Sequence, residues 1–159
     1  MIFEIISDTE IGSEPTVLQD AQLYFRSEDS NGIEDDLIKS FLRQARQAIE
    51  TATNLSLIDR ELEVYCDEYI GFLPYGPIDP DTLTIVSGTA DTKGKAYPYV
   101  NESADATITY TTKAYVNEDI LNAIYELASF WYFRGDVNTV NMPDKVKFVI
   151  KRHTRKTFV

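Results

Sequence analysis

A single cysteine and a single histidine in 159 residues leave little from which to build a metal centre or a nucleophilic site. Cys66 has no partner for an internal disulfide, and neither Cys66 nor His153 stands with a third ligand at metal spacing or with a recognisable base. No catalytic, cofactor-binding or metal-binding residue is therefore assigned. Basic side chains are also scarce, 15 Lys and Arg against 26 Asp and Glu, and a net charge of −11 predicts a surface that repels nucleic acid. Long apolar runs and a charged-then-apolar leading segment are missing, so the expectation is a chain that neither spans a membrane nor is secreted, at home in a reducing cytoplasm. Seven glycines and six prolines are spread without low complexity, and no internal repeat is present.

Apolar material is plentiful. Hydrophobic residues make up 43% of the chain and aromatics 12%, too much for a disordered protein, and the length suits one domain spanning 1–159. The opening stretch 1–15 alternates Ile2, Phe3, Ile5 and Ile6 with polar residues and reads as a short strand or arm. Helices are predicted over 16–54: a short one carrying Val17, Leu18, Ala21, Tyr24 and Phe25, then a break at "SEDSNG" with helix-capping acceptors. The long helix that follows has an apolar stripe of Leu37, Ile38, Phe41, Leu42, Ala45, Ala48, Ile49 and Ala52. Over 57–115 the period falls to two, as in Leu62, Val64 and Cys66, and three to five mostly antiparallel strands are expected, with a polar turn at Asn101 to Asp105. A helix over 117–135 starts at the cap Asn117 and stops at Gly135, and a last helix with a basic tail occupies 143–159. The sum is an α+β fold in which helices from both ends of the chain form a small bundle around an inserted antiparallel β region.

Apparent motifs dissolve on inspection. "GTADTKGKA" has five residues rather than four between Gly88 and Gly94, and Ala96 stands where a phosphate loop needs a hydroxyl. "SEDSNGIEDDLI" would put Ile38 at the last ligand of a calcium loop, so it reads as a capped helix start. Glu61 and Glu63 alternate along a strand and belong to its solvated face. Tyr65, Tyr69, Tyr75, Tyr97 and Tyr99 have little positive charge among them and are read as packing residues; His153 is read as a surface residue and Cys66 as a buried one. "RGD" at 134–136 is a helix end.

Charge is unevenly spread. Residues 141–159 hold Lys145, Lys147, Lys151, Arg152, Arg155 and Lys156 against Asp144 alone, so an acidic body ends in a basic tail suited to an acidic partner. The absence of catalytic constellations leaves a structural or interaction protein as the leading class.

In order and spacing, "MIFEIISDTEIGSEPTVLQDAQLYFRSED", "EDDLIKSFLRQARQAIETATN", "FLPYGPIDPDTLTIV", "ITYTTKAYVNEDILNAIYELASFWYFRGD" and "MPDKVKFVIKRHTRK" resemble the head-tail connector (head-completion adaptor) proteins of tailed bacteriophages. Two positions depart from that pattern, Asn54 where a glycine is usual after the long helix and Ala114 where one is common before Tyr115. The resemblance implies a non-enzymatic virion protein at the head-tail junction, assembled in the host cytoplasm. It would form a dodecameric ring beneath the portal, with a stopper or other tail-side protein below and DNA passing through without specific binding. It further implies that residues 145–159 dock on the portal, with Lys151, Arg152, Arg155 and Lys156 pairing with acids and Phe158 filling an apolar pocket. Contacts between subunits are expected from the long helix, at Asp36, Lys39, Arg43 and Arg46, and from the β insertion. The alternative is a nucleic-acid-binding module acting through the basic tail.

Overall fold

The computed structural model describes residues 1–25 and 33–155. In chain order they form β1 (Ile2–Glu10), α1 (Leu18–Phe25), α2 (Ile33–Thr53), β2 (Arg60–Asp67), β3 (Gly71–Phe72), a 3-10 turn (Pro80–Thr82), β4 (Thr84–Lys93), β5 (Tyr99–Thr111), α3 (Glu118–Arg134) and α4 (Asp144–His153). The predicted break at "SEDSNG" lies outside the described residues. The fold is α+β, as the change of hydrophobic period requires, and it divides into two compact units.

The helical unit comprises 14–53 and 116–154. The stripe of α2 buries Ile38, Leu42, Ala45 and Ile49, while Leu37 and Ala52 from the same predicted stripe stay exposed. Facing it, α3 buries Ile120, Ala123, Ile124, Leu127, Ala128 and Trp131. Burial of each such large aliphatic side chain stabilises the fold by about 1.5–3 kcal/mol. The Asn117 side chain accepts from the Ile120 amide at 3.0 Å to start α3, and Gly135, left-handed at φ 67°, ends it. The shorter α1 is tied to α3 by Tyr125, whose hydroxyl accepts from the Val17 amide at 2.9 Å. From the C-terminal side α4 inserts Val146, which is fully buried. Helices from both halves of the chain thus make one bundle.

The β unit comprises 1–13, 54–115 and Arg155. Its sheet runs β1-β2-β5-β3, with β4 also paired to β5, and every pairing is antiparallel. Alternation on β2 puts Leu62, Val64 and Cys66 into a core completed by Leu73, Ile78, Val100, Ala106, Ile108 and Tyr110. A buried polar knot closes one end: the Ser56 hydroxyl donates to the Ile58 carbonyl at 2.6 Å and meets the Thr112 hydroxyl at 2.7 Å, which in turn accepts from the Arg60 amide at 3.0 Å. Each of these hydroxyls is satisfied, as buried polar groups must be. Asn54 takes the left-handed conformation (φ 56°) that a glycine would favour after α2, and its side chain accepts from the Tyr75 amide at 3.0 Å.

One expectation is corrected. The polar stretch Asn101 to Asp105 is not a turn, because β5 runs unbroken from Tyr99 to Thr111. Val100, Ser103 and Ala106 are its buried positions there, three apart instead of two, and β4 shifts register opposite them. Of the two readings of the N-terminal stretch, strand or arm, the strand holds: β1 pairs with β2 along its length, and Arg60 clamps it by donating twice to Asp8 at 2.9 and 2.8 Å.

Candidate functional site

The basic segment singled out by the sequence is an amphipathic helix. Val146 is buried, Val149 and Ile150 are half-buried, and Lys145, Lys147, Lys151 and Arg152 face solvent. Three of these cations have carboxylate neighbours within the helical unit: Lys145 reaches Glu126 at 3.4 Å, Lys147 reaches Asp144 at 3.6 Å, and Arg152 reaches Asp119 at 3.0 Å. Exposed pairs of this kind contribute about 0–1 kcal/mol, so each lysine or arginine can exchange its partner for another at little cost. His153 is not a surface residue as expected. Its side chain is only 11% exposed and points its Nε2 to within 3.7 Å of the Asp119 carboxylate. Phe148, by contrast, is 67% exposed between the lysines.

Of the residues expected to dock, Lys151 and Arg152 are on this open face, and Lys156 and Phe158 lie outside the described residues. Arg155 is placed differently. Its guanidinium lies 4.6 Å from the Tyr97 ring centroid and 5.3 Å from that of Phe72, and donates to the carbonyls of Asn54 and Leu73 at 3.4 Å each. Burial lowers the Arg155 pKa, with no carboxylate among its described hydrogen-bond partners. Gly76 makes room for it, since a Cβ there would stand 2.6 Å from an Arg155 nitrogen and 2.5 Å from the Tyr97 ring. Little positive charge stands among these tyrosines in the sequence, and Arg155, 58 residues from Tyr97, reaches them only through the fold.

The expected subunit contacts divide as well. Asp36, Lys39 and Arg43 are exposed along α2. Arg46 is not available to a neighbour: it is fully buried, donating to Glu14 at 2.8 and 2.9 Å and to Glu50 at 2.7 Å. The i,i+4 spacing of Arg46 and Glu50 was visible in the sequence, but it reads equally as a surface pair. Glu14, 32 residues earlier in the chain, joins the buried pair as a further partner.

Two grooves were not foreseen. One, of about 540 Å³ in the helical unit, is lined by Ala48 and Ala52 of α2, by Met142, and by Lys147, Ile150 and Lys151 of α4. The other, of about 410 Å³ on the outer face of the sheet, sets Glu61 and Glu63 among Ser7, Thr9, Thr109 and Thr111. Nothing in either resembles a reaction centre. Among the described residues no group of three or more His, Cys, Asp or Glu side chains could hold a metal ion, and no helix is long and apolar enough to cross a membrane. Cys66 is an unreactive thiol in its place, since burial pushes it up to about 11. Tyr65 is pushed up to about 12, first by its 2.7 Å hydrogen bond to the Asp105 carboxylate.

Solved structures share this arrangement. A chain of the virion of a native gene transfer agent (GTA) particle superposes with a TM-score of 0.67 at 19% identity, covering 97% of this chain and 98% of that one. A chain of the neck of an empty GTA particle, computed with C6 symmetry, gives 0.66 at 19% identity with the same coverage. No family model matches the sequence, and no curated protein does. At this identity the likeness establishes a shared fold over 97% of the chain.

Proposed function

We propose that this chain is a structural protein of a phage-like particle, a head-tail connector that assembles as a ring between the portal and the tail-side proteins. The observation that carries this reading is the likeness of fold over 97% of the chain to chains of particles of that kind, one of them a particle neck. The sequence resemblance to connectors points the same way. No catalysis is needed for such a role; the virion's head-tail junction is the place it implies.

The physical work of a connector is to hold a portal on one side while letting DNA through. Charge suits both tasks. The described residues of the β unit carry 13 acidic against five basic side chains, and a wall of that sign repels phosphates so that a duplex slides without sticking. The open face of α4 offers the opposite sign, with Lys151 and Arg152 available to portal carboxylates and Phe148 to an apolar contact. In this proposal the tail beyond α4 extends that contact through Lys156 and Phe158, and Arg155 joins it only by leaving the Phe72 and Tyr97 rings.

The test is co-sedimentation with the portal ring encoded beside this chain. Ending the chain at Asp144 would remove the buried Val146 and confuse unfolding with lost docking. The comparison is therefore wild type, the double variant Lys151→Ala/Arg152→Ala, and a chain ending at Thr154. Wild-type binding that the variants lose supports both the connector role and the tail site. Undiminished binding by all three keeps the connector and rejects the tail. No binding by any form at low or moderate salt rejects the reading, and salt-sensitive DNA retardation would then favour the nucleic-acid alternative.

A further inference from the structure

A ring of identical subunits needs two different surfaces on each copy that fit one another. The helical groove is one half of such a pair. Its floor is apolar, from Ala48, Ala52, Met142 and Ile150, and two exposed lysines, Lys147 and Lys151, stand one helical turn apart beside it. Lys147 has only Asp144 near, at 3.6 Å on an exposed surface, and Lys151 has no carboxylate partner among the described residues. What fits this groove is an extended or helical segment that is apolar and acidic at once.

The chain itself carries such a segment. β1 is the terminal strand of the sheet, so one edge of it is unpaired among the described residues. Of its four large apolar side chains only Phe3 packs against the core of the β unit. Strand alternation turns Ile2 and Glu4 to the face opposite Phe3, and the bulge between Ile5 and Ser7 leaves Ile6 out as well. Ile2 and Ile6 are each 52% exposed, Ile5 38% and Ile11 55%. Exposed Ile2 and Ile6 on either side of the exposed Glu4 carboxylate are a costly way to finish a monomer's sheet. The other edge strand, β4, is blunted by three register shifts, whereas β1 has one.

We infer that β1 of one copy seats in the groove between α2 and α4 of the next, with Ile2 and Ile6 on the apolar floor and Glu4 against Lys147. The contact is heterologous, so each copy gives β1 to one neighbour and its groove to the other, which is the arrangement that closes into a ring. It also turns the asymmetry of charge into specificity, because like surfaces of two copies repel. This inference rests on the ring reading and assigns the faces that make it.

Two single variants test it, Ile6→Cys and Ala52→Cys, each at an exposed position; the native Cys66 is buried and silent. Assembly is followed by sedimentation, alone at high concentration and on the portal ring, and the variants are oxidised singly and mixed. The expected result is a disulfide-linked dimer from the mixture and none from either variant alone. Charge reversal gives an independent readout: Lys147→Glu should raise the concentration needed for assembly by at least about tenfold, and adding Glu4→Lys should restore much of it. Assembly without the mixed cross-link and without the charge effect overturns this contact and leaves the ring. Failure of the wild type to assemble under either condition overturns both.

Discussion

Arg46 stands one turn before Glu50 on α2, and the pair is sealed from water with Glu14 as third member. Removing one partner of a buried pair strands the other, so Arg46→Ala should destabilise the helical unit by about 3–5 kcal/mol, read as a lower urea midpoint with little change in slope. Arg46→Met/Glu50→Leu, which removes both buried charges, should recover most of that loss, while Glu14, partly exposed, can be hydrated in their absence. The Cys66 thiol tells a second story at this scale. Its pKa rises from the ordinary 9.0 to about 11 because it is buried. The unfolded chain therefore ionises first, and the stability gained by keeping the thiol neutral is complete below pH 9 and lost as pH climbs toward 11. Cys66→Ala should flatten the fall in stability over that window, and in the native protein a thiol reagent at pH 8 should label Cys66 only as fast as the β unit opens.

Elements end where particular residues stop them. Asn117→Ala removes the acceptor for the Ile120 amide and should cost about 1 kcal/mol, with Asn117→Asp nearly neutral, as measured by chemical denaturation. The β4 and β5 pairing depends on a tighter constraint. Gly88 sits at φ 69° with the Asp105 carbonyl oxygen 2.0 Å from where a Cβ would be, and Asp105 itself has φ 47°. Gly88→Ala should therefore cost more than about 1 kcal/mol and raise amide exchange along β4 and β5 before it does so elsewhere. "GTADTKGKA" belongs to a strand; its first six residues are the second half of β4, paired with β5.

For the whole molecule the governing quantity is charge. With a net −11 the chain should fail to retard duplex DNA at about 0.15 M salt, in an electrophoretic assay with the full-length protein. Retardation that salt abolishes would show the basic helix overriding the acidic body and would replace the connector reading. Retention of portal binding under the same conditions separates the two outcomes, because the proposed docking would use a few cations on α4 whereas a sliding duplex would meet the acidic β unit.

The hydrophobic period alone determined the class of this protein: a step of 3.6 in α2 and α3, a step of two in β2, and the caps Asn117 and Gly135 are local signals that need no tertiary context. The basic character of α4 and the burial of Cys66 were legible for the same reason. Pairing was not, because hydrogen bonds between strands leave no trace in composition. Hence β1 joined a sheet whose other strands lie more than 49 residues along the chain, and the polar stretch 101–105 proved to be strand. Nor could the chain's order say which charges are spent internally: Arg46 and Arg155 look like Arg43 and Arg152 in sequence, yet packing buries one beside Glu50 and half-buries the other between Phe72 and Tyr97. Local propensity acts over a few residues, while desolvation depends on everything that folding brings near, so only the tertiary structure decided which cations remain for a partner.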